Sequence, residues 1–194
     1  MAKERQTERR RLEDEQKRNA RKEVFSWVRM FATVIVVVFV LTHFIIINAK
    51  VPSGSMENTI MTHDRLIGFR FAYWFDEPQR GDIILFEYPV DEKQIYIKRV
   101  IGLPGETVQI KKGKVYINGK KLKSDIYGIT KYIDEPGIAE EPLELGKDEY
   151  FCLGDNRPVS YDSRYEEVGP VHRSEIIGKV WIRIWPLTKF GKVS

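Results

Sequence analysis

The 194-residue sequence has one cysteine and three histidines. A lone Cys152 excludes an intramolecular disulfide, and no spacing of Cys and His matches a structural zinc site. Hydrophobic residues make up 42% of the chain and charged residues 31%, which excludes a wholly disordered chain and a protein of many membrane spans. The length suits one domain with an appendage.

Outside its first 29 residues the chain also lacks an excess of charge. Residues 1–29 carry ten Lys or Arg and six Asp or Glu, which accounts for the whole net charge of +4. A nucleic-acid-binding protein usually spreads a basic surface over its folded body. Nucleic acid is therefore not an expected partner.

Residues 30–47 contain no Asp, Glu, Lys or Arg. As a helix these 18 residues are about 27 Å long, close to the roughly 30 Å of a bilayer's hydrocarbon core. With 24–28 as an extension, the sequence predicts a transmembrane signal anchor at 24–47 behind a basic head at 1–23. A cleaved signal peptide is the alternative, but its apolar region is usually about 7 to 15 residues and ends in small residues.

The basic residues predict the orientation of this span. Ten precede it, whereas Lys50 and Arg65 are the only two in the 18 positions after it. The positive-inside rule therefore places the N terminus in the cytoplasm and residues 48–194 outside the cell membrane. We expect the head to be a solvated helix or a disordered tail that contacts anionic lipid of the bilayer.

Residues 48–194 are expected to form one mainly β domain. Runs rich in β-branched and aromatic residues alternate with Gly and Pro, and they lie at 66–71, 82–88, 94–101, 107–110, 114–117, 149–153 and 176–185. Asn118 and Gly119, between two alternating segments, predict a hairpin with a type I′ turn. The more polar stretch 103–148 predicts a small inserted subdomain.

The sequence PSGS at 52–55 follows the predicted span closely. A turn of small residues leaves a hydroxyl and backbone N–H groups accessible, as a nucleophile with an oxyanion site requires. Ser55 is eight residues beyond Ile47, at most about 28 Å when extended. A site at this turn is therefore expected near the outer membrane surface.

A nucleophilic serine needs a base, and histidine is the usual one. His43 lies in the predicted span, and His63 directly precedes Asp64, which makes a pair of these two neighbours geometrically awkward. His172 stays a candidate, with Asp155 or Asp162 as its partner.

Lys98 is a second candidate base. Strand alternation places it on one face with Tyr96 and Val100, so part of its side chain is expected to be shielded from water. From the usual lysine pKa of about 10.4, a neutral amine at pH 7 costs roughly 4 to 5 kcal/mol, and desolvation can lower the pKa by several units. The alternative is a surface lysine beside Arg99 with its amine in water.

Four segments in one order carry a family resemblance: PSGSM at 52–56, RGDIILFEYP at 80–89, YIKRVIGLPGE at 96–106 and GDNRPVSYDSR at 154–164. Behind an apolar anchor, they resemble bacterial type I signal peptidase, above all the smaller Gram-positive type, over about residues 24–185.

The resemblance implies a β-rich catalytic domain of the signal-peptidase and LexA-like type. It implies a membrane-anchored serine endopeptidase with a Ser-Lys dyad that removes signal peptides from secretory precursor proteins. Cleavage is expected after Ala-X-Ala-like sequences, with the precursor extended along a sheet edge. No metal or organic cofactor is implied.

The resemblance also implies residue roles. Ser55 is the expected nucleophile and Lys98 the general base. The Ser55 N–H and the Ser53 hydroxyl are expected to form the oxyanion site, and Ser160 to hydrogen-bond the Lys98 amine. Met56 is expected to line the substrate groove. Three residues are expected to support the site through ion pairs: Asp155, Asp162 and Arg164.

The chain departs from the family pattern at two turn positions. Asn58 stands where the family often has Pro, and His63 where it commonly has Gly. These departures leave the local backbone geometry open, whereas the nucleophile and base positions match.

Two other functions are consistent with an anchored β-rich chain. One is a sortase-like transpeptidase that uses Cys152 with His63 and Arg157 or Arg164, although Cys152 lies in an apolar run typical of a buried residue. The other is a non-catalytic binding module. Residues 69–75, FRFAYWF, are candidates for core packing or for contact with lipid headgroups.

Overall fold

The computed structural model describes residues 2–123, 125 and 132–193, with side chains from Lys17 onward except at residue 92. The chain divides into two compact units, Met1–Phe44 and Ile45–Ser194. Of the predicted insertion, residues 124 and 126–131 lie outside the described residues.

The first unit is a helix. Helix α1 (Ala2–Val40) passes into one π-helical turn, Leu41–Ile45. Its apolar part has a mean hydropathy of 2.4, and its side chains are not buried in the protein. Within the described part of the chain it is the one helix long and apolar enough to cross a membrane. An exposed apolar surface on such a helix fits a transmembrane anchor.

The second unit is built almost entirely from strands, as predicted. The strands are β1 (Ile46–Lys50), β2 (Arg65–Phe69), β3 (Ile83–Tyr88), β4 (Asp91–Gly102), β5 (Thr107–Lys111), β6 (Lys114–Ile117), β7 (Lys120–Lys121), β8 (Leu143–Glu144), β9 (Glu149–Leu153), β10 (Val171–His172), β11 (Ile176–Trp185) and β12 (Gly191–Lys192). Single 3₁₀ turns lie at Arg70–Tyr73, Gly137–Ala139, Arg173–Glu175 and Leu187–Lys189.

Two sheets contain these strands. The larger has the order β1-β2-β11-β3-β4-β9-β10, with β12 on β11, and the smaller has the order β7-β6-β5-β8. Neighbours along both sheets are antiparallel. The smaller sheet lies wholly within the predicted insertion, and Asn118 and Gly119 both have positive φ, 49° and 73°, as a type I′ turn requires.

The predicted strand positions differ from the structure mainly at their ends. Three predicted runs match their strands (β6, β9 and β11), whereas β4 begins at Asp91, before the predicted start at 94. Strand β2 ends at Phe69 because the chain turns into the 3₁₀ helix that follows. In that helix Tyr73 is buried and its hydroxyl donates to Asp82, 2.9 Å away, whereas Phe75 beyond it is 92% exposed.

The predicted span extends too far at its C-terminal end. Ile46 and Ile47 belong to strand β1 and pair with Phe69 and Gly68 of β2. Ile47 is 5% exposed and packs in the core beneath the 52–55 turn. Apolar composition alone does not separate the last residues of a membrane helix from the first residues of a buried strand.

The two sheets pack closely at Gly102, the last residue of β4. A Cβ atom there would lie 2.6 Å from Val108 Cγ2, 2.8 Å from Leu145 Cδ1 and 2.9 Å from Phe151 Cβ. These neighbours belong to the core of the smaller sheet, so a methyl group at this position would overfill the core.

We expect Gly102→Ala to lower the free energy of unfolding by about 1–3 kcal/mol, seen as a fall of several degrees in the melting temperature of the detergent-solubilised chain. Gly146→Ala is the control, because its added methyl group meets only the flexible Glu149 carboxyl group. Equal melting temperatures for the two variants would contradict tight packing at Gly102.

Candidate active site

Ser55 lies in the loop that joins β1 to β2, residues 51–64. We refer to these residues as the nucleophile loop, after the predicted role of Ser55. Two backbone hydrogen bonds close the base of this loop, Val51 N–H to Asp64 O (3.0 Å) and His63 N–H to Val51 O (2.8 Å). The side chains of Met56 and Ile60 are buried beneath it. The loop therefore holds the half-buried Ser55 over an apolar support.

Lys98 meets this loop from β4, where it pairs with Ile84 of β3. Its Nζ donates a hydrogen bond to Ser55 Oγ over 2.9 Å. The Lys98 side chain lies 5.4 Å above the Tyr96 ring, measured from Nζ to the ring centroid. The structure thus brings together the predicted nucleophile and the predicted base.

Burial changes the acidity of this amine. Lys98 is 4% exposed, and loss of hydration lowers its pKa from 10.5 to about 8. Among the charges that act on Lys98, that of Asp162 raises the pKa and that of Arg164 lowers it. The charge of Asp155 also raises it, and burial, the largest influence, decides the direction.

The segment after β9 completes the site. Strand β9 pairs with β4 through Leu153 and Arg99, next to Lys98, so residues 154–164 lie beside the dyad. Asn156 N–H donates to Ser55 O (2.9 Å), and Asn156 Nδ2 donates to Gly54 O (3.0 Å). We refer to residues 154–156 as the GDN loop.

The close approach of the GDN loop depends on Gly154. A Cβ atom at this position would lie 2.5 Å from Ser55 O and 2.1 Å from Ser160 Oγ. Only glycine lets the two loops touch without displacing the nucleophile or Ser160.

Two buried ion pairs lie around the dyad, and they include all three residues predicted to support it. Asp155 accepts from Arg99 Nε (2.9 Å) and Nη2 (2.7 Å). Asp162 accepts from Arg164 Nε (2.8 Å) and Nη2 (3.1 Å). Each carboxylate is thus paired with a guanidinium group, which limits its effect on the nearby amine.

The predicted contact of Ser160 with Lys98 is absent from this structure. Among the residues that the structure describes, buried Ser160 Oγ has no hydrogen-bond partner, and it lies against Gly154 while the Lys98 amine is bonded to Ser55. Ser53 is exposed, and its Oγ is 3.5 Å from Ser55 Oγ, so it lies close to the nucleophile.

No histidine takes the place of Lys98. His172 caps a 3₁₀ turn, with its Nδ1 2.8 Å from Ser174 Oγ. Its candidate partners Asp155 and Asp162 are bound to arginines. Asp64, the neighbour of His63, accepts from the Met61 N–H (2.9 Å) and forms an ion pair with Arg183, also over 2.9 Å.

Cys152 does not have the surroundings of a catalytic thiol. It is fully buried in the core between β4 and β9, among Val100, Tyr150 and Phe86. Burial raises the pKa of its thiol, whereas a nucleophilic cysteine needs a lowered one. The sortase-like alternative therefore has no support in this structure.

The two departures from the family pattern lie in the nucleophile loop. His63 has a φ of 70°, a left-handed conformation that glycine adopts freely and that histidine also tolerates. The Glu57–Asn58 peptide bond is cis. Neither residue displaces Ser55 from Lys98.

A groove of about 580 Å³ leads to the dyad. One wall is formed by residues 48–53 of β1 and the following turn, the other by residues 93–98 of β4. Met56 lines it, as predicted, together with Ile60, Val159 and Tyr161. The lining of the groove is somewhat more apolar than polar, and the groove is open to solvent.

Sequence reasoning missed three residues that hold the site together. Asn156 binds the nucleophile loop, Arg99 pairs with Asp155, and the Thr59 hydroxyl donates to Asp155 (2.5 Å). Asn156 and Arg99 stand inside the quoted segments, directly beside Asp155 and Lys98, and this adjacency was the available signal.

Comparison with known proteins identifies the family of this chain. The model of the family described as signal peptidase, peptidase S26, matches residues 24–185. A probable signal peptidase I-2 of Synechocystis sp. is 35% identical over 179 residues, covering 87% of this chain and 78% of the relative. Signal peptidase IB of Staphylococcus aureus (strain COL) is 31% identical over 183 residues, covering 88% and 94%.

A crystal structure of signal peptidase I from Enterococcus faecalis V583 is 38% identical and covers 54% of this chain and 97% of its own, with a TM-score of 0.44. The family match and the curated relatives extend over most of the sequence, including the four segments that form the site. The chain belongs to the signal peptidase family, peptidase S26, and is a signal peptidase I.

Proposed function

We propose that this signal peptidase is a membrane-anchored serine endopeptidase whose catalytic dyad is Ser55 and Lys98. The observation that carries the proposal is the 2.9 Å contact between Lys98 Nζ and Ser55 Oγ, made by a buried amine with a lowered pKa. A lysine in these surroundings can be neutral near physiological pH and accept a proton.

The reaction then has two halves. In the first, neutral Lys98 takes the Ser55 proton, Oγ attacks the scissile carbonyl carbon, and the ammonium group returns the proton to the departing amine. In the second, Lys98 takes a proton from water, hydroxide attacks the acyl ester, and Ser55 leaves with that proton. Both halves pass through an oxyanion, for which we propose the Ser55 N–H and the Ser53 hydroxyl as donors.

The sheet topology supports a direction for the bound precursor. Four antiparallel pairings separate β1 from β4, so these two strands run in the same direction, both towards the dyad. Strand β1 is an edge strand, and the described pairings of residues 93–98 are with β3 alone. Both groove walls therefore have backbone groups free for an added strand.

We infer that the precursor's residues before the scissile bond lie parallel to both walls. With its N-terminal side in the groove and its scissile carbonyl at Ser55, the peptide must run towards the dyad. Its side chains then alternate between the apolar floor and solvent. Met56 and Ile60 already occupy the floor, which favours small residues at alternate positions, as in an Ala-X-Ala-like sequence.

We also propose that helix α1 anchors the enzyme with its N terminus in the cytoplasm. The support is the apolar surface of the helix together with the basic residues before it. Ser55 follows the helical segment by ten residues, so the site stays close to the bilayer. Exposed Trp74 and Phe75 are suited to contact with lipid headgroups.

The orientation can be tested with single cysteines, because the native Cys152 is buried and does not react readily. A membrane-impermeant maleimide should label Lys120→Cys in sealed right-side-out membrane vesicles, and Asn19→Cys only after permeabilisation. Both positions are exposed, so differences in labelling report sidedness. The opposite pattern would refute the proposed orientation.

The dyad predicts that Ser55→Ala and Lys98→Ala each abolish precursor cleavage while the domain remains folded. Lys98→Arg should fail as well, because a guanidinium group does not give up its proton in this pH range. The measurement is mass mapping of products from a model precursor with an Ala-X-Ala site, with the enzyme in lipid or detergent. Cleavage by Lys98→Arg would exclude Lys98 as the base.

The lowered pKa of Lys98 predicts how the cleavage rate changes with pH. The ammonium form is inactive, so kcat/KM should rise about tenfold per pH unit below the pKa and level off above about 8. Circular dichroism over the same range separates this ionisation from unfolding. A rate that does not change between pH 6 and 9 would contradict the assignment.

A further inference from the structure

Asn156 contacts the peptide unit that would supply the main-chain oxyanion donor. Its Nδ2 donates to Gly54 O over 3.0 Å, and Gly54 C=O and Ser55 N–H belong to the same peptide group. Glu57 N–H also donates to Gly54 O, over 3.2 Å. The carbonyl end of this peptide is thus held by two donors.

The Gly54–Ser55 peptide is not one of the chain's cis bonds, so its N–H points opposite to its C=O. Because the carbonyl faces Asn156, the Ser55 N–H points away from the GDN loop. Within the described residues, no backbone carbonyl accepts from this N–H. It is therefore available to a reacting group at Ser55.

Hydrogen bonds to a peptide carbonyl withdraw electrons from the same peptide's nitrogen. The N–H becomes a stronger donor, and chains of hydrogen bonds strengthen one another in this way. The Asn156 backbone N–H also donates to Ser55 O, 2.9 Å away, so one residue fixes the peptide groups on both sides of the Ser55 Cα.

We infer that Asn156 is a positioning residue that orients and polarises the Gly54–Ser55 peptide, so that the Ser55 N–H stabilises the oxyanion. The inference rests on the proposed function and assigns to the GDN loop a part in transition-state stabilisation. Asn156 touches neither reacting atom, so its effect passes through the peptide.

The test is Asn156→Ala, which removes the side-chain donor and keeps the backbone N–H bond to Ser55 O. Removal of an oxyanion donor itself costs about 10² to 10³ in kcat. For loss of polarisation we expect a smaller fall, roughly ten- to hundredfold in kcat. KM should change little, and the pH at which the rate levels off should remain near 8.

Asn156→Asp is the second variant. The aspartate side chain has the shape of asparagine, but it places a carboxylate oxygen, which cannot donate, opposite the Gly54 carbonyl oxygen. The kcat of Asn156→Asp should therefore be no higher than that of Asn156→Ala. Asn58→Ala is the matched control. Asn58 is exposed in the β1–β2 loop that also holds Ser55, and its side chain makes no hydrogen bond within the described residues. It should keep full kcat.

A peptide aldehyde ending in Ala separates this role from general support of the fold. Ser55 Oγ adds to its carbonyl carbon to form a hemiacetal, whose former carbonyl oxygen takes the oxyanion position while the Ser55 proton passes to Lys98 or to that oxygen. The matching peptide amide binds without an adduct. In Asn156→Ala the aldehyde affinity should fall by the same factor as kcat, with amide affinity unchanged.

An unchanged kcat, a loss confined to KM, or equal losses of aldehyde and amide affinity would overturn the inference. Ser55→Ala keeps the two proposals apart. If Ser55→Ala still cleaves precursor, the proposed function fails. If Ser55→Ala is inactive and Asn156→Ala is fully active, the polarisation inference fails alone.

Discussion

The proposed active site depends on keeping the Lys98 amine out of water without pairing it permanently with a carboxylate. A lysine in contact with a free carboxylate would stay protonated, because the opposite charge raises its pKa. Here Asp155 of the GDN loop and Asp162, six residues beyond that loop, are each paired with an arginine. Both carboxylates still raise the pKa of Lys98, but burial acts more strongly and lowers it to about 8.

The fold meets this requirement with a sheet that brings distant segments together. Ser55 and Lys98 are 43 residues apart, and the GDN loop follows about 55 residues later. Because β9 lies beside β4, the GDN loop reaches the dyad directly. Gly154 removes the last steric obstacle, so the backbone of this loop touches the nucleophile loop.

Short sequence patterns predicted those parts of the structure that depend on residues close together in the sequence. The Asn118–Gly119 hairpin followed from the residue types that a type I′ turn requires. Strand alternation predicted partial shielding of the Lys98 side chain but left a surface lysine as the alternative, and the structure shows Lys98 buried. The family resemblance then supplied the pairing with Ser55, which composition and spacing had left open among several bases.

Contacts between segments far apart in sequence were harder to predict. Ile47 reads as part of a membrane span, yet it packs under the nucleophile loop because β1 pairs with β2. In the sequence, Asn156 is typical of an ordinary turn. Its hydrogen bond to Gly54 O is evident only in the folded structure, where the GDN loop contacts the loop of Ser55. Ser160, at a matching motif position, lies against Gly154, and its hydroxyl has no hydrogen-bond partner among the described residues.

Strand β11 links the two parts of the larger sheet that carry the proposed dyad. This late strand, Ile176–Trp185, lies between β2 and β3, so within the sheet it joins the β1–β2 hairpin, whose loop holds Ser55, to the β3–β4 hairpin, which carries Lys98. A chain emerging from its N terminus holds both groups well before it has the strand that unites them. Because the larger sheet is complete only with β11, the site reaches the geometry described here only after that strand has been made.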